Sequence, residues 1–421
     1  MPTDHELESY SPLDPATIQC PFSRYSQLRA ESPVHHVASM DVYVVTRHDL
    51  VAEVLRDPAT YSSRRSRALV PLSPEEYALV RAVQDEGLPR LATLLTADPP
   101  KHTRYRRLVS KAFSPPSIAG QEMVIRSVAN ELIDGWIERP TIEFVTDFGV
   151  PLPVVVIAKA LNVPNDRLDD FKRWSDDTVV GFGNEPTVEE LLRAERGVNE
   201  LQEYFSDELD KRRTRPQDDL LTGLLTARVD DDDTDVMDGR ALEIAEILSI
   251  IHQLLVGGNE TTTKMLTEMM VQLATHPDQW ERVKYRPEEI PAVIEEVVRL
   301  ASPIQAIWRV ATRDVLLGGT SIPAGARIVI TYGSANRDES VFPDADAFDP
   351  NRPNITDHLG FGRGVHFCVG ASLARLEGRI ALEELSRRVH TFNLSATNQF
   401  EYYESFMLRG LTSLDLDIVA V

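Results

Sequence analysis

Ten residues constrain this chain more than any other stretch: Phe361-Gly362-Arg363-Gly364-Val365-His366-Phe367-Cys368-Val369-Gly370. They hold one of only two cysteines in the sequence. Glycines at 362, 364 and 370 permit a tight turn and the close approach of something flat or bulky. Residues 371–388 then read as a helix. Cys368 therefore sits just before a helix N-terminus, where free N–H groups and the positive end of the dipole favour a thiolate. A lone cysteine in a glycine-rich loop can also be a buried structural residue, so the rest of the chain must decide.

At 421 residues the chain exceeds the usual single-domain size. No long Gly/Ser or Pro linker breaks it, so one domain over 1–421 is expected. The class is mainly α with small β-sheets, strand-rich at about 34–46, 308–332 and 400–418. Two cysteines cannot build a disulfide framework, which points to a reducing compartment. The first twenty residues carry Asp4, Glu6, Glu8 and Asp14 and no apolar run. Neither signal peptide nor membrane anchor is expected, and a soluble cytoplasmic protein is. A net charge of −22 argues against nucleic acid as a partner.

Along the chain, residues 22–30 read as a short helix, 34–37 and 42–45 as a hairpin, and 49–55 as a helix. Residues 61–95 lack clean periodicity and read as a functional loop or lid. A helix from 98 to about 113 puts His102 and Arg106 on one face and Arg104, Arg107 and Lys111 on another, expected to point outward. Helices follow at 127–137, 150–161, 167–180 and 188–213. The acidic run 230–233 is most simply a solvated loop. Residues 402–416 read as a hairpin that carries Phe406 and Met407 at its turn.

Residues 242–275 form a very long helical pattern, about 50 Å at 1.5 Å per residue. Gly257 and Gly258 lie in its middle and cost about 1 kcal/mol each relative to alanine, so they need a reason. The Thr261 hydroxyl can bond back to the Gly257 carbonyl and open the helix locally, leaving a groove with the Glu260 acid beside an alcohol. A packing glycine pair is the plain alternative. Glu296 and Arg299 sit at i, i+3, a spacing common in surface ion pairs.

Taken together, these motifs resemble those of the cytochrome P450 family. Every fixed position of the family's haem-binding loop is present from Phe361 to Gly370. Gly257-Gly258-Asn259-Glu260-Thr261 is similar to the oxygen-activating motif, with Glu260 where many bacterial members have Asp. Glu296 and Arg299 match the family's Glu-x-x-Arg, and Arg352 in Phe348-Asp349-Pro350-Asn351-Arg352 completes that structural triad. His102, Arg106, Arg309 and His366 match propionate-binding positions, and Ala335-Asn336-Arg337-Asp338 also fits. The resemblance runs from about residue 20 to the end, most strongly from 240 to 380.

The resemblance implies a P450 fold with one haem b between the long central helix and the helix after the cysteine loop. It implies a monooxygenase that inserts one atom of O₂ into an apolar substrate and forms water from the other. Cys368 would be the iron ligand, within a cofactor site that also includes Phe361, Gly362, Gly370, Gly257 and Gly258. Glu260 and Thr261 would deliver protons. Candidate pocket residues are Leu94, Leu95, Val179, Val180, Leu254, Ile304, Ile307, Phe406 and Met407, which suit a terpenoid, steroid, fatty acid or aromatic compound. Expected partners are that substrate, O₂ and an acidic ferredoxin with its NAD(P)H reductase, with no nucleic acid and no membrane, the chain acting as a monomer. Arg104, Arg107, Lys111, Arg375 and Arg379 are expected to form the basic docking patch for the ferredoxin. Two rivals stay open: a peroxide-driven peroxygenase or oxidative coupling enzyme, and a gas-sensing haem protein without catalysis.

Overall fold

A computed structural model of the protein describes residues 10–64, 72–110, 113–228 and 240–421. Lys111 and the acidic run 230–233 lie outside the described residues. The chain divides into two compact units. The first comprises Met1–Ser66, Glu122–Leu152 and Thr261–Val421, the second Arg67–Gln121 and Pro153–Glu260.

The first unit holds the sheets. Valine- and isoleucine-rich segments form five strands in the order Val34–Val37, Val42–Val45, Arg327–Thr331, Ala306–Ala311 and Tyr61–Ser62. Val34–Val37 pairs antiparallel with Val42–Val45, which runs parallel to Arg327–Thr331. β-Branched side chains favour this pleated, half-buried setting. Val45, Val51, Leu55, Ile328, Ile330 and Leu359 bury their side chains in one cluster under the sheet. Each such burial contributes roughly 1.5–3 kcal/mol. A second sheet orders Thr141–Glu143, Asp415–Ala420 and Val389–Leu394.

The C-terminal hairpin is therefore shorter than 402–416. It closes through a Tyr402–Leu411 bridge and a Tyr403 N–H bond to Gly410 O of 2.9 Å, with Phe406 and Met407 buried at its tip. Asp415 onward leaves it to join the second sheet, because Leu416 and Ile418 bury on that sheet's inner face.

The second unit is helical. Its longest complete helix, Val188–Thr214, starts at a reciprocal cap between Thr187 and Glu190. The stretch 61–95, expected as a loop, contains the helix Pro74–Gln84. Its signal was capping rather than periodicity: Ser73 caps the Glu76 N–H, Glu76 returns the bond, and Pro74 occupies the first turn. The long helix spans Ile244–Thr275 and continues as α-helix through Gly257 and Gly258. No helix of the described residues is long and apolar enough to cross a membrane.

Candidate functional site

In the first unit, the cysteine loop is set by two glycines with left-handed backbone, Gly362 at φ 68° and Gly364 at φ 72°. A side chain at Gly364 would also meet the Leu55 carbonyl oxygen at 2.5 Å, so no larger residue fits there. The Cys368 N–H donates to Phe361 O at 2.9 Å, closing the loop on its first residue. Gly370 then caps the helix Ala371–Arg388, and Cys368 stays half-exposed two residues before it. The other cysteine, Cys20, is exposed.

Behind the loop lies a buried cluster. Glu296 accepts from Arg299 on both oxygens at 2.7 Å and from Arg352 Nε at 3.0 Å. Both arginines have donors left over, and these go to backbone. Arg299 donates to Asn336 O, Ala345 O and Ala347 O, and Arg352 to Pro343 O, Asp344 O and Ala347 O. Asn336 carries the order onward: its Oδ1 accepts the Leu359 N–H at 2.6 Å, and Gly362 N–H bonds Leu359 O at 2.8 Å. One carboxylate thus organises an irregular segment that leads directly to the cysteine.

Around the same loop, His366 Nε2 lies 3.0 Å from Ser63 Oγ, and Arg309 is buried with Nη1 on Trp308 O at 2.7 Å. Tyr332, which sequence reasoning passed over, is buried there too. Its hydroxyl is 3.5 Å from where a Cβ on Gly362 would sit. Burial pushes its pKa up to about 12, with Arg309 opposing and Cys368 adding. A tyrosine one residue past a strand gives no local signal of that position. The two segments that carry this unit's pocket candidates, 304–308 and 406–408, meet: Ile304 bridges to Leu408, Gln305 N–H bonds Met407 O at 2.8 Å, and the Trp308 and Phe406 rings contact edge to face at 5.8 Å. Ile307 is half-buried on the same strand.

In the second unit, His102 is buried on the helix Lys101–Ser110. Burial, and then the Arg106 cation, push its pKa down to about 4 against the pull of Asp98. It is neutral at pH 7 and offers a ring N–H rather than a charge. Glu260, the last residue of this unit, is half-buried in the long helix, as is Thr261, the first residue of that helix assigned to the other unit, and nothing lies within 4 Å of where a Cβ on Gly257 or Gly258 would stand. Asn259 Nδ2 donates to Ser175 Oγ at 2.8 Å, tying the helix Leu168–Val179 to that segment. Leu94, Val179 and Leu254 are buried and Val180 half-buried, while Leu95 is exposed with its N–H on Gln253 Oε1 at 2.7 Å.

The expected basic docking patch is largely neutralised. Arg104 does not point outward; it is buried against Glu246 at 3.3 Å. Arg375 is paired with Glu295, and Arg379 with Glu122 and Glu383. Partly buried arginines cost less when a carboxylate is near, and this acidic chain supplies one each time. Of that patch Arg107 keeps an exposed side chain, with Lys101 exposed on the same helix.

A half-exposed cysteine presented before a helix start, on a loop tied to buried arginines, is an arrangement that suits the class of cysteine-ligated haem enzymes. The comparisons with known proteins agree. The cytochrome P450 family model matches residues 288–401. The chain is 38% identical over 368 residues to cytochrome P450 109 of Bacillus spizizenii, covering 87% of this chain and 83% of that one. It is 33% identical over 408 residues to linalool 8-monooxygenase of Pseudomonas putida, covering 96% and 97%. A solved structure of CYP109E1 from Bacillus megaterium in complex with corticosterone superposes with a TM-score of 0.82 at 34% identity, covering 96% of this chain and 99% of that one. The chain belongs to the cytochrome P450 family and is a haem-dependent monooxygenase of that family.

Proposed function

We propose that this enzyme inserts one atom of O₂ into an apolar small molecule, with haem b held at Cys368. One observation carries the reading: the Cys368 loop is ordered from behind by the Glu296, Arg299, Arg352 and Asn336 network. The donor set fits the cofactor. A thiolate suits iron, and Arg309, Arg106, His366 and the His102 N–H suit carboxylates that must be partnered when buried. Phe361, Gly362 and Gly370 shape the loop, and Gly257 and Gly258 leave room beside the central helix.

Haem, when bound, supplies the redox chemistry of oxygen activation. The chain's residues do the rest. The Thr261 hydroxyl holds a proton to be passed on, and the Glu260 carboxyl restores it. Leu94, Leu95, Val179, Val180, Leu254, Ile304, Ile307, Phe406 and Met407 are assigned to the substrate. Linalool in one relative's name and corticosterone in one related structure support a terpenoid or steroid within the wider apolar class. Electrons are assigned to an acidic ferredoxin with its NAD(P)H reductase, meeting a cytoplasmic monomer at the exposed Lys101 and Arg107.

The test is a panel of terpenoids, steroids, fatty acids and aromatics screened by the shift of the haem absorption band. Binders are then turned over with a ferredoxin, its reductase and O₂. Oxygenated product is expected. Product formed with added peroxide alone would favour the peroxygenase reading.

A further inference from the structure

Glu295 stands one residue before the triad acid, on the helix Ile290–Ala301, and does a different job. Arg375 grips it with two parallel bonds, Nε to Oε1 at 2.5 Å and Nη2 to Oε2 at 2.9 Å. His358 Nε2 adds a third at 3.0 Å. His358 Nδ1 accepts the Gly360 N–H at 3.1 Å, so its proton sits on Nε2 and the ring donates to Glu295. Burial opposes ionisation of Glu295, but the Arg375 and His358 bonds prevail and hold its pKa down at about 2.

The pair surrounds the first residue of the cysteine loop. The Arg375 guanidinium lies over the Phe361 ring, 4.4 Å from its centroid, and the His358 ring is 5.8 Å from the same ring. Phe361 O is the acceptor of the Cys368 N–H. Arg375 is also within electrostatic reach of Cys368 itself. Its side chain is 38% exposed, against 12% for Glu295 and 3% for His358, so the carboxylate is the sheltered member that fixes the cation.

We propose that Glu295 is a positioning residue for the thiolate: it fixes Arg375 on the Phe361 ring and cancels that cation's charge beside Cys368. The inference rests on Cys368 being the iron ligand. Its consequence is a sign rule. Reduction adds negative charge at the iron–thiolate centre, and a nearby net positive charge favours that state. Glu295→Gln keeps a hydrogen-bond acceptor but leaves Arg375 uncompensated, so the haem reduction potential rises. Arg375→Met leaves the carboxylate uncompensated, so the potential falls. Arg375→Lys keeps the charge and stays near the unaltered enzyme. A merely structural role would loosen the loop and move both single variants the same way.

The measurement is a potentiometric titration of the haem-loaded enzyme and these variants, with the reduced carbon monoxide spectrum recorded for each. Opposite shifts for Glu295→Gln and Arg375→Met, with the Glu295→Gln/Arg375→Met double variant between them, are the expected result. If Glu295→Gln does not load haem, a lower potential for Arg375→Met with an unshifted Arg375→Lys supports the proposal, and an unshifted Arg375→Met overturns it. Shifts of the same sign, or none, overturn it as well. Loss of the thiolate-type carbon monoxide band in the unaltered enzyme would instead remove the ligand assignment on which it rests.

Discussion

Glu296 in the first unit and Glu246 in the second are each buried and flanked by two arginines, and the two sites use that chemistry differently. Glu296 binds Arg299 and Arg352, whose remaining donors go to carbonyls of irregular chain between 336 and 347. Glu246 binds Arg104, Arg240 and the Tyr105 hydroxyl, and caps the Glu243 N–H at 2.8 Å. The first site gives order to a segment that has no secondary structure of its own. The second anchors the start of a helix that already has one. Burial of a charge is tolerable only where every donor finds an acceptor, and the two sites spend those acceptors on different needs.

Removing each acid in turn separates the two sites. Glu296→Ala leaves two buried guanidiniums without their carboxylate and should cost about 3–5 kcal/mol, read from the urea midpoint together with loss of haem retention. The next effect comes from a third buried acid that has no arginine. Burial alone pushes Glu377 up to about 8. Its folded pKa lies above the unfolded value, so it carries no penalty below about pH 4.5 and a growing one up to about pH 8. Glu377→Gln should therefore gain about 3 kcal/mol at pH 7 and nothing at pH 4, seen as a difference in thermal midpoint between the two pH values. An equal gain at both would remove the titration argument.

Glu246→Gln should cost less than Glu296→Ala, about 2 kcal/mol, because it leaves its partners without a charge to bind while Arg240 can return to water. Glu246 itself, held down at about 2 despite burial by Arg240, the Glu243 N–H and Tyr105, stabilises the fold above about pH 4.5 and loses that contribution as pH falls towards 2. Smallest is Arg107→Glu, which tests the docking surface. It should slow reduction by an acidic ferredoxin a few-fold at low salt and leave substrate affinity unchanged. A rate indifferent to salt and to this change would place the donor elsewhere.

The same contrast explains what the sequence made legible. The Glu296 site is legible through the family resemblance, which Glu296, Arg299 and Arg352 match, whereas the i, i+3 spacing alone reads as an ordinary surface ion pair. The Glu246 site is not legible, since Arg104 reaches an acid 142 positions away and nothing local separates an inward arginine from a solvated one. The same blindness assigned Arg375 and Arg379 to an open patch: their acids, Glu295 and Glu122, are 80 and 257 positions distant. Helices with strong apolar period were readable, and the helix Pro74–Gln84 was missed because only its cap carried the information. Tyr332 and the Asn336 link to Leu359 depend on how strands and coil fold back, which no spacing encodes.

The proposed function stands on Cys368, on its clamped loop, being the ligand of the haem iron. It is tested most directly by the absorption spectrum of the reduced, carbon monoxide-bound enzyme beside that of Cys368→His. The unaltered enzyme should show the long-wavelength band of a thiolate-ligated haem, and Cys368→His should lose it while still binding haem. Survival of that band in Cys368→His would contradict the account.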